Sequence, residues 1–328
     1  MKVNSEYHTI GGEKIVETNE NPDYKIYRQK WHQNPSNYIV EDFPLFLDID
    51  ITDICNLKCP FCLRISNPEV IKNEKMPFDM FKKIIDEGYV NGLFGIKLNI
   101  IGEPLIHDRV HEFVKYAKDK GLIDVYFNTN ATLLTKEKGK KLIESGLDRL
   151  SISFEGSSKD IYEKNRVGAN FEQVVRNIKN FQLLKKELNV THPKVRIQTV
   201  LLPELEPIIE DYKSFWMDIV DEIGFLDYQP RVEKKNEILK GDWACPQLWQ
   251  RMGVLVDGTI IPCNHDEKGL SKLGNVENTS IKEAWHSDKL ESLRELHKKG
   301  EAHNGPACKF CYLRYSEVEK LKKGGNLK

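Results

Sequence analysis

Seven cysteines are the residues best suited to chemistry, and they form two groups along the 328-residue chain. An odd number of cysteines disfavours a complete set of disulfides. Clustered cysteines in a large chain without secretory features are typical of metal ligands. The sequence therefore predicts one site with three ligands and another with four. The first group is Cys55, Cys59 and Cys62, and the second is Cys245, Cys263, Cys308 and Cys311.

The spacing of the first group, C-x3-C-x2-C, suits a catalytic metal centre. Three thiolates in a short loop can hold three irons of a cubane cluster and leave the fourth iron open. The alternatives are a zinc site with a distant fourth ligand and buried structural cysteines. Four thiolates in the second group can fully ligate one [4Fe–4S] cluster, although spacing alone also allows structural zinc. The pair Asp257-Gly258 predicts a hairpin that brings Cys245 and Cys263 together.

The elements that position the first group are predicted from residue 45 onward, where short apolar runs alternate with segments of helical spacing. Helices are expected between the runs, for example over 108–120, 135–146 and 206–220. Such alternation indicates an α/β fold with a parallel sheet and right-handed crossovers. Periodicity alone allows an open or partly closed barrel and a doubly wound sheet equally. The predicted strands are Leu45–Ile51, Ile96–Ile101, Asp124–Asn128, Arg149–Phe154, Val195–Leu201 and Phe225–Gln229.

Composition and pattern also predict the organisation and setting of the chain. We expect an N-terminal extension over 1–44, a barrel over 45–234, a small second domain over 235–318 and a basic tail over 319–328. One helix is expected at about 280–298. The net charge of −1 disfavours a nucleic-acid partner. No membrane span or secretory signal is recognisable, so the predicted location is the cytoplasm, without a membrane partner.

The segment Cys55-Asn-Leu-Lys-Cys59-Pro-Phe-Cys62 resembles the signature of the radical S-adenosylmethionine (radical SAM) enzymes. The resemblance implies a partial (β/α)6 TIM-like barrel and a [4Fe–4S] cluster whose open iron chelates S-adenosyl-L-methionine. It further implies reductive cleavage of that molecule to a 5′-deoxyadenosyl radical, which abstracts a hydrogen from the substrate. An electron donor such as flavodoxin or ferredoxin is then expected.

Two later strand ends resemble the same family. Gly102 and Glu103 match its Gly-Gly-Glu-Pro motif, which engages the SAM amino group, although Ile101 replaces the first glycine. The alternative is an ordinary turn with a solvated glutamate. Asn130 lies in a segment that resembles the family's Thr-Asn-Gly turn near the SAM ribose. The alternative is that the asparagines only shape a turn.

The remaining candidate residues are an aromatic, a serine and two arginines. Ser153 and Arg166 resemble the family pair that contacts the SAM carboxylate, with a surface salt bridge as the alternative for the arginine. Phe61 is expected to cover the adenine edge or to shield the cluster. Arg231, beyond the last predicted barrel strand, is a candidate catalytic residue that polarises a substrate hydroxyl, with a structural role as the alternative.

The second cysteine group and its surroundings resemble the SPASM/twitch region of radical SAM enzymes. The full SPASM region has seven cysteines and two auxiliary clusters, so four cysteines imply the one-cluster variant, as in the aminocyclitol dehydrogenase of butirosin biosynthesis. A closed auxiliary cluster favours a small-molecule oxidoreductase acting on a sugar or aminocyclitol-like alcohol. The alternatives are a ribosomal-peptide maturase, which makes crosslinks or epimers, and a non-enzymatic metal-binding scaffold.

Overall fold

The computed structural model describes residues 8–10, 21–203, 205–227, 240–241 and 243–323, which form one mixed sheet flanked by helices. The described strands are β1 His8–Ile10, β2 Phe46–Ile49, β3 Gly95–Lys97, β4 Asp124–Thr129, β5 Arg149–Ser153, β6 Lys194–Leu201, β7 Glu222–Asp227, β8 Arg251–Val254, β9 Thr259–Ile261 and β10 Gly274–Asn275. The described α-helices are α1 Pro22–Asn37, α2 Leu63–Ser66, α3 Phe78–Val90, α4 Val110–Asp119, α5 Lys136–Glu144, α6 Lys159–Asn165, α7 Phe171–Glu187, α8 Ile209–Trp216, α9 Ile281–Trp285, α10 Asp288–Lys298 and α11 Tyr312–Lys323.

The six predicted barrel strands are present as β2 to β7, and they are parallel neighbours in sequence order. A doubly wound sheet reverses its strand order at a switch point, and the run from β2 to β7 contains no such reversal. Strand β2 pairs with β8 on its other side, and β7 pairs with β1. The barrel formed by β2 to β7 is therefore open. The predicted α/β fold, a partial (β/α)6 barrel, is confirmed.

Alternation along the strands separates an apolar outer layer from a polar interior. Outward residues such as Leu47, Ile96 and Phe127 are fully buried in the large core formed with the flanking helices. The alternate positions of the same strands are mostly polar, and they face the inside of the barrel. The inward residues of β2 to β6 include Asp48, Lys97, Tyr126, Ser151 and Gln198.

Helix α1 covers the base of the barrel, which the sequence predicted only as an extension pinned by aromatic residues. The ring of Tyr27 stacks on Phe94 with centroids 5.4 Å apart, and Trp31 meets the edge of Phe46 at 6.0 Å. Gln250, which precedes β8, donates from Nε2 to the carbonyl oxygen of Trp31 at 2.6 Å. The amino ends of the barrel strands are therefore closed by packed aromatic rings.

A buried ion cluster lies in the lower part of the barrel. Asp48 on β2 is fully buried and pairs with Lys97 Nζ at 2.8 Å and with Arg251 Nη1 at 3.2 Å. Burial opposes its charge, but the two cations lower the pKa of Asp48 below its ordinary value. The cluster links β3, β2 and β8, so the second region is joined to the barrel by charge as well as by backbone pairing.

The second region continues the barrel sheet as a hairpin. Strands β8 and β9 are antiparallel, and Gly258 between them has a φ of +81°, as predicted for the Asp-Gly turn. The helix expected at 280–298 is instead two helices, α9 and α10, because Ser287 accepts a hydrogen bond from Leu290 N and starts a new helix. The predicted boundary near residue 235 lies outside the described residues and stays a prediction.

The first part of the predicted basic tail over 319–328 is helical in the structure. Residues 319–323 belong to α11, because Val318 and Leu321 pack against Trp243 and hold the helix to the second region. Within the described part of the chain, no helix is long and apolar enough to cross a membrane.

Candidate functional site

The first cysteine group lies in the loop after β2, at the carboxyl edge of the barrel sheet. Buried Asp53 shapes this loop, because its carboxylate accepts hydrogen bonds from the backbone N–H groups of Lys72, Asn73 and Glu74. The distances to Asn73 N and Glu74 N are 3.1 and 2.7 Å. The cysteine loop is therefore anchored to the segment that follows α2.

The three thiols of this loop are close enough to affect one another. Burial is the main cause that raises the pKa of Cys59 to about 11; Arg166 opposes the rise, and the neighbouring thiols of Cys62 and Cys55 contribute to it. Burial is also the main cause of the raised pKa of Cys55, to which Cys62 again contributes. Buried thiolates that repel one another need a bound cation, and a shared iron–sulfur cluster provides that compensation.

Arg166 stands beside this group as a buried cation. Its Nη1 lies 3.7 Å from Cys59 Sγ, and its guanidinium carbon lies 5.4 Å from the centre of the Phe61 ring. Its Nε donates to Glu155, which is buried. Burial opposes the charge of Arg166, but Glu155 holds its pKa above the ordinary value. The Arg166 side chain is 12% exposed and pairs with Glu155, which is 1% exposed, so it does form a salt bridge, but one that is largely buried and not on the surface.

Glu103 is also buried, with 3% of its surface exposed, so the alternative of a solvated glutamate is wrong. Its Oε1 accepts hydrogen bonds from Leu105 N at 3.1 Å and Thr129 Oγ1 at 2.6 Å. Its Oε2 accepts from Asn130 N at 2.7 Å. Burial raises the pKa of Glu103, and these hydrogen bonds oppose the rise. The carboxylate joins the turn after β3 to the end of β4.

Gly102 makes a close backbone approach that excludes any side chain. A Cβ atom built there would lie 1.9 Å from the carbonyl oxygen of Thr52. The next residue, Glu103, donates its backbone N–H to the carbonyl oxygen of Ile54 at 2.8 Å. The Gly102 turn therefore packs directly on the start of the cysteine loop, and this contact requires glycine.

Asp50 at the end of β2 supports the same turn, and the sequence analysis did not identify it. Its Oδ1 accepts hydrogen bonds from Ile100 N at 2.9 Å and Ile101 N at 3.1 Å. Burial raises the pKa of Asp50 to about 6. An acidic residue within an otherwise apolar strand is the signal that could have revealed it.

Asn130 connects the end of β4 to the cysteine loop. Its Nδ2 donates to Asn56 Oδ1 at 3.0 Å and lies 3.9 Å from Cys55 Sγ. Its Oδ1 accepts from the N–H and the hydroxyl of Thr132 at 2.9 and 2.7 Å. The asparagine does shape its turn, as the alternative held, and the same amide also reaches the first cysteine group.

The structure brings these predicted residues to one edge of the barrel but does not join them all. Ser153 is the last residue of β5 and is half-buried at this edge. Among the described residues, no hydrogen bond links Ser153 to Arg166. Arg231 lies outside the described residues. Inside the barrel, Ser151 Oγ lies 3.4 Å from Gln198 Oε1, so hydroxyl and amide groups line the interior below the site.

The four cysteines of the second group converge on one cavity. They come from the start of the turn before β8, the end of the hairpin and the segment before α11. Apolar side chains such as Trp243, Leu248 and Leu293 form much of the remaining wall. Burial raises the pKa of each thiol, and other thiols of the group raise those of three of them further. The cysteines are Cys245, Cys263, Cys308 and Cys311.

This donor set fits an iron–sulfur cluster. Four thiols in a largely apolar cavity provide soft sulfur ligands, which clusters of this type use. A cubane cluster spreads its thiolate ligands over four irons.

Two further polar residues of this cavity were missed by the sequence analysis. His297 on α10 lies 3.3 Å from Cys308 Sγ through Nε2, and burial lowers its pKa to about 4. Arg314 on α11 donates from Nε to the carbonyl oxygen of Cys308 at 2.8 Å. The signal for His297 was its helical spacing from Leu290 and Leu293, which places it on the buried face of α10.

Comparison with known families finds a known domain around each of the two cysteine groups. Residues 49–206 match the model of the Radical SAM superfamily, and residues 245–312 match the SPASM iron–sulfur cluster-binding domain. The chain therefore belongs to the radical SAM superfamily, and its second region is a SPASM domain. It is a radical SAM enzyme whose cofactors are two [4Fe–4S] clusters and S-adenosylmethionine. This membership contradicts the alternative of a non-enzymatic metal-binding scaffold.

The curated relatives have different activities. The tungsten-containing aldehyde ferredoxin oxidoreductase cofactor-modifying protein of Pyrococcus furiosus is 24% identical over 319 residues, which cover 82% of this chain and 87% of that protein. A probable GTP 3′,8-cyclase of Methanococcus maripaludis is 30% identical over 187 residues, or 56% of this chain. The match spans only 60% of that cyclase.

Solved structures share the fold. BtrN in complex with AdoMet and 2-DOIA superposes with a TM-score of 0.56 at 18% identity, covering 82% of this chain and 93% of that one. SuiB of Streptococcus suis, bound to its precursor peptide SuiA, gives a TM-score of 0.63 at 16% identity. That match covers 87% of this chain and 75% of SuiB. The shared fold thus serves both small-molecule and peptide complexes.

Proposed function

We propose that the chain is a radical SAM oxidoreductase that oxidises a carbinol carbon of a sugar or aminocyclitol-like alcohol. In this proposal, the first cysteine group holds the SAM-binding cluster and the second holds the auxiliary cluster. Flavodoxin or ferredoxin supplies the electron that starts the reaction. The side chains proposed to contact SAM are Phe61, Glu103, Asn130, Ser153 and Arg166, together with the backbone of Gly102.

The observation that carries the proposal is the convergence of four cysteines on one cavity. Four thiolates complete the ligation of a cubane cluster, so its irons have no open position for substrate and the cluster is suited to electron transfer. When bound, the cofactors supply a 5′-deoxyadenosyl radical that takes one hydrogen atom from substrate, and an acceptor for the electron that substrate then loses with a proton. The substrate thereby loses two electrons and two protons in all.

The chain's own residues provide a polar chamber with a closed base. Helix α1 and its aromatic rings close the amino ends of the strands. Above them, Ser151 and Gln198 offer a hydroxyl and an amide that can hold the hydroxyl groups of a polar substrate. Arg231 is proposed to polarise the reacting hydroxyl. Arg166 and Glu103, both buried, hold the loops that surround the radical source.

Contacts between the segments that follow the two cysteine groups support electron transfer from barrel to auxiliary cluster. Lys268 Nζ, which follows Cys263 by five residues, lies 3.1 Å from Glu69 Oε1 beyond the first group. Lys72 pairs with Asp257 at the tip of the hairpin. The two cysteine-bearing regions are therefore neighbours in the fold.

A ribosomal-peptide maturase is the second candidate function. The observation in its favour is the fold of SuiB, which was solved with a precursor peptide bound and has the higher of the two TM-scores. Identity to SuiB is 16%, so this likeness concerns the fold. The two candidates differ in the substrate that should stimulate cleavage of SAM.

The test is anaerobic reconstitution with SAM and reductant, followed by addition of a panel of polyols and aminocyclitols or a panel of peptides. We expect one alcohol to raise 5′-deoxyadenosine formation and to yield, in equal amount, a product lacking two hydrogen atoms. Stimulation by peptides alone would favour the maturase. The Cys59→Ala variant should form no 5′-deoxyadenosine. The Cys311→Ala variant should still cleave SAM but lose the oxidised product, and normal oxidation by it would contradict the auxiliary role.

A further inference from the structure

His297 lies where two separate segments of the auxiliary cysteine cavity meet. It is on α10, and only 2% of its surface is exposed. On one side is the backbone of Cys245, 52 positions earlier in the chain, and on the other is the sulfur of Cys308. The imidazole ring thus bridges two cysteines that arrive from opposite ends of the SPASM domain.

The hydrogen bonds of this ring fix which nitrogen carries the proton. The backbone N–H of Cys245 donates to His297 Nδ1 at 3.0 Å. A peptide N–H can only donate, so Nδ1 must be the unprotonated nitrogen. The ring proton of a neutral imidazole is then on Nε2, which lies 3.3 Å from Cys308 Sγ. The contact with the sulfur is therefore an N–H···S hydrogen bond donated by His297.

We infer that His297 is a positioning residue that donates a hydrogen bond to the Cys308 thiolate and thereby raises the reduction potential of the auxiliary cluster. The inference rests on the proposed ligation of that cluster by Cys308. Hydrogen bonds to the sulfurs are one of the factors that set the potential of a cluster. A hydrogen bond donated to the sulfur stabilises the reduced form of the cluster more than the oxidised form, because the reduced form carries more negative charge. Such tuning makes the auxiliary cluster a better electron acceptor, as the proposed oxidation requires.

Substitution of His297 by asparagine or by glutamine keeps only one of the two hydrogen bonds that the imidazole ring makes. In the His297→Asn variant, the amide reaches the position of Nδ1 and can accept from Cys245 N, but it ends before the sulfur. In the His297→Gln variant, the amide nitrogen reaches the position of Nε2 and can donate to the sulfur. The His286→Asn variant is the matched control, because His286 is exposed, bonds the carbonyl oxygen of Asp42 and does not line the cavity.

The experiment measures the midpoint potential of the auxiliary cluster in the full-length chain. Cys55, Cys59 and Cys62 are replaced by alanine in all samples, so the auxiliary cluster is the only one that loads. Iron content and redox titration followed by electron paramagnetic resonance are then recorded. We expect a shift to more negative potential in the His297→Asn variant, near-native potential in the His297→Gln variant, and no change in the His286→Asn variant.

A second readout detects the proton itself. Exchange into D2O should remove an exchangeable proton coupling from the pulsed resonance spectrum of the reduced cluster, and the His297→Asn variant should lack that coupling before exchange. A loaded His297→Asn variant with unchanged potential overturns the inference and leaves the ligation intact. Absence of any cluster from the triple alanine chain overturns the ligation as well. If the His297→Asn variant does not bind a cluster, the parent chain provides the test. The absence of an exchangeable proton coupling from its spectrum then overturns the inference.

Discussion

Replacement of Asp50 by asparagine tests how the turn that carries Glu103 is held. Oδ1 of Asp50 receives the two backbone N–H groups of Ile100 and Ile101, at 2.9 and 3.1 Å. Asparagine keeps an oxygen for both bonds and removes only the ionisable group. The variant therefore isolates the cost of placing a negative charge in this fully buried position.

The cost follows from the two pKa values. Burial raises the pKa of Asp50 from 3.8 to about 6. That difference corresponds to about 3 kcal/mol at full ionisation. Because the folded pKa is the higher one, the penalty is absent well below pH 3.8 and complete once the pH has risen through 6. About 2 kcal/mol of this penalty should develop as the pH rises from 4.5 to 7.5.

The assay is guanidinium unfolding of the cluster-free chain at pH 4.5 and 7.5, under anaerobic reducing conditions. The free energy of unfolding of the Asp50→Asn variant, relative to the parent, should rise by about 2 kcal/mol between the two pH values. Any cost of burying the amide is the same at both and cancels. The exposed Asp79, whose pKa is lowered by Lys82, provides a control variant that should show no such rise. A pH-independent difference for the Asp50→Asn variant would refute the reasoning.

Two further substitutions, each with a matched control variant, test the packing around the site by the same unfolding assay. The Lys97→Met variant should lose about 3 kcal/mol, because Asp48 stays buried with one cation fewer, whereas the Lys115→Met variant should stay within about 0.5 kcal/mol since its pair is exposed. The Gly102→Ala variant should lose about 3 kcal/mol or fail to fold, because its Cβ meets the Thr52 carbonyl. The Gly92→Ala variant has open space and should lose only about 1 kcal/mol from its φ of +81°. Equal losses within either pair would contradict the packing described.

The barrel strands could be predicted because their outward residues are apolar and fall in short runs. The start of β7 was placed too late, at Phe225, because the strand begins with Glu222, a buried carboxylate 3.8 Å from Arg196 Nη1. Helix α1 could not be predicted from periodicity. It buries only four residues and has no continuous apolar stripe, since its role is to insert aromatic rings into the base of the barrel.

The grouping of the cysteines could be predicted because their spacing is local in the first group and is set by a hairpin and a C-x2-C pair in the second. The contacts of their polar neighbours could not be predicted. Asp50 acts on a turn that begins 50 residues later, and His297 acts on a backbone N–H 52 residues earlier. Such contacts exist only once the chain is folded, and neither residue belongs to a recognisable motif.

The pairing of β8 with β2 has a consequence for engineering. Residues 251–254 lie in register with 46–49, so the SPASM region is the lateral edge of the barrel sheet. A chimera that exchanges only this region between superfamily members would have to match that strand register and the partners of Asp48. Expressed alone, the barrel would present the bare edge of β2 to solvent and be prone to edge-to-edge aggregation. The natural unit of exchange is therefore the hairpin together with β2.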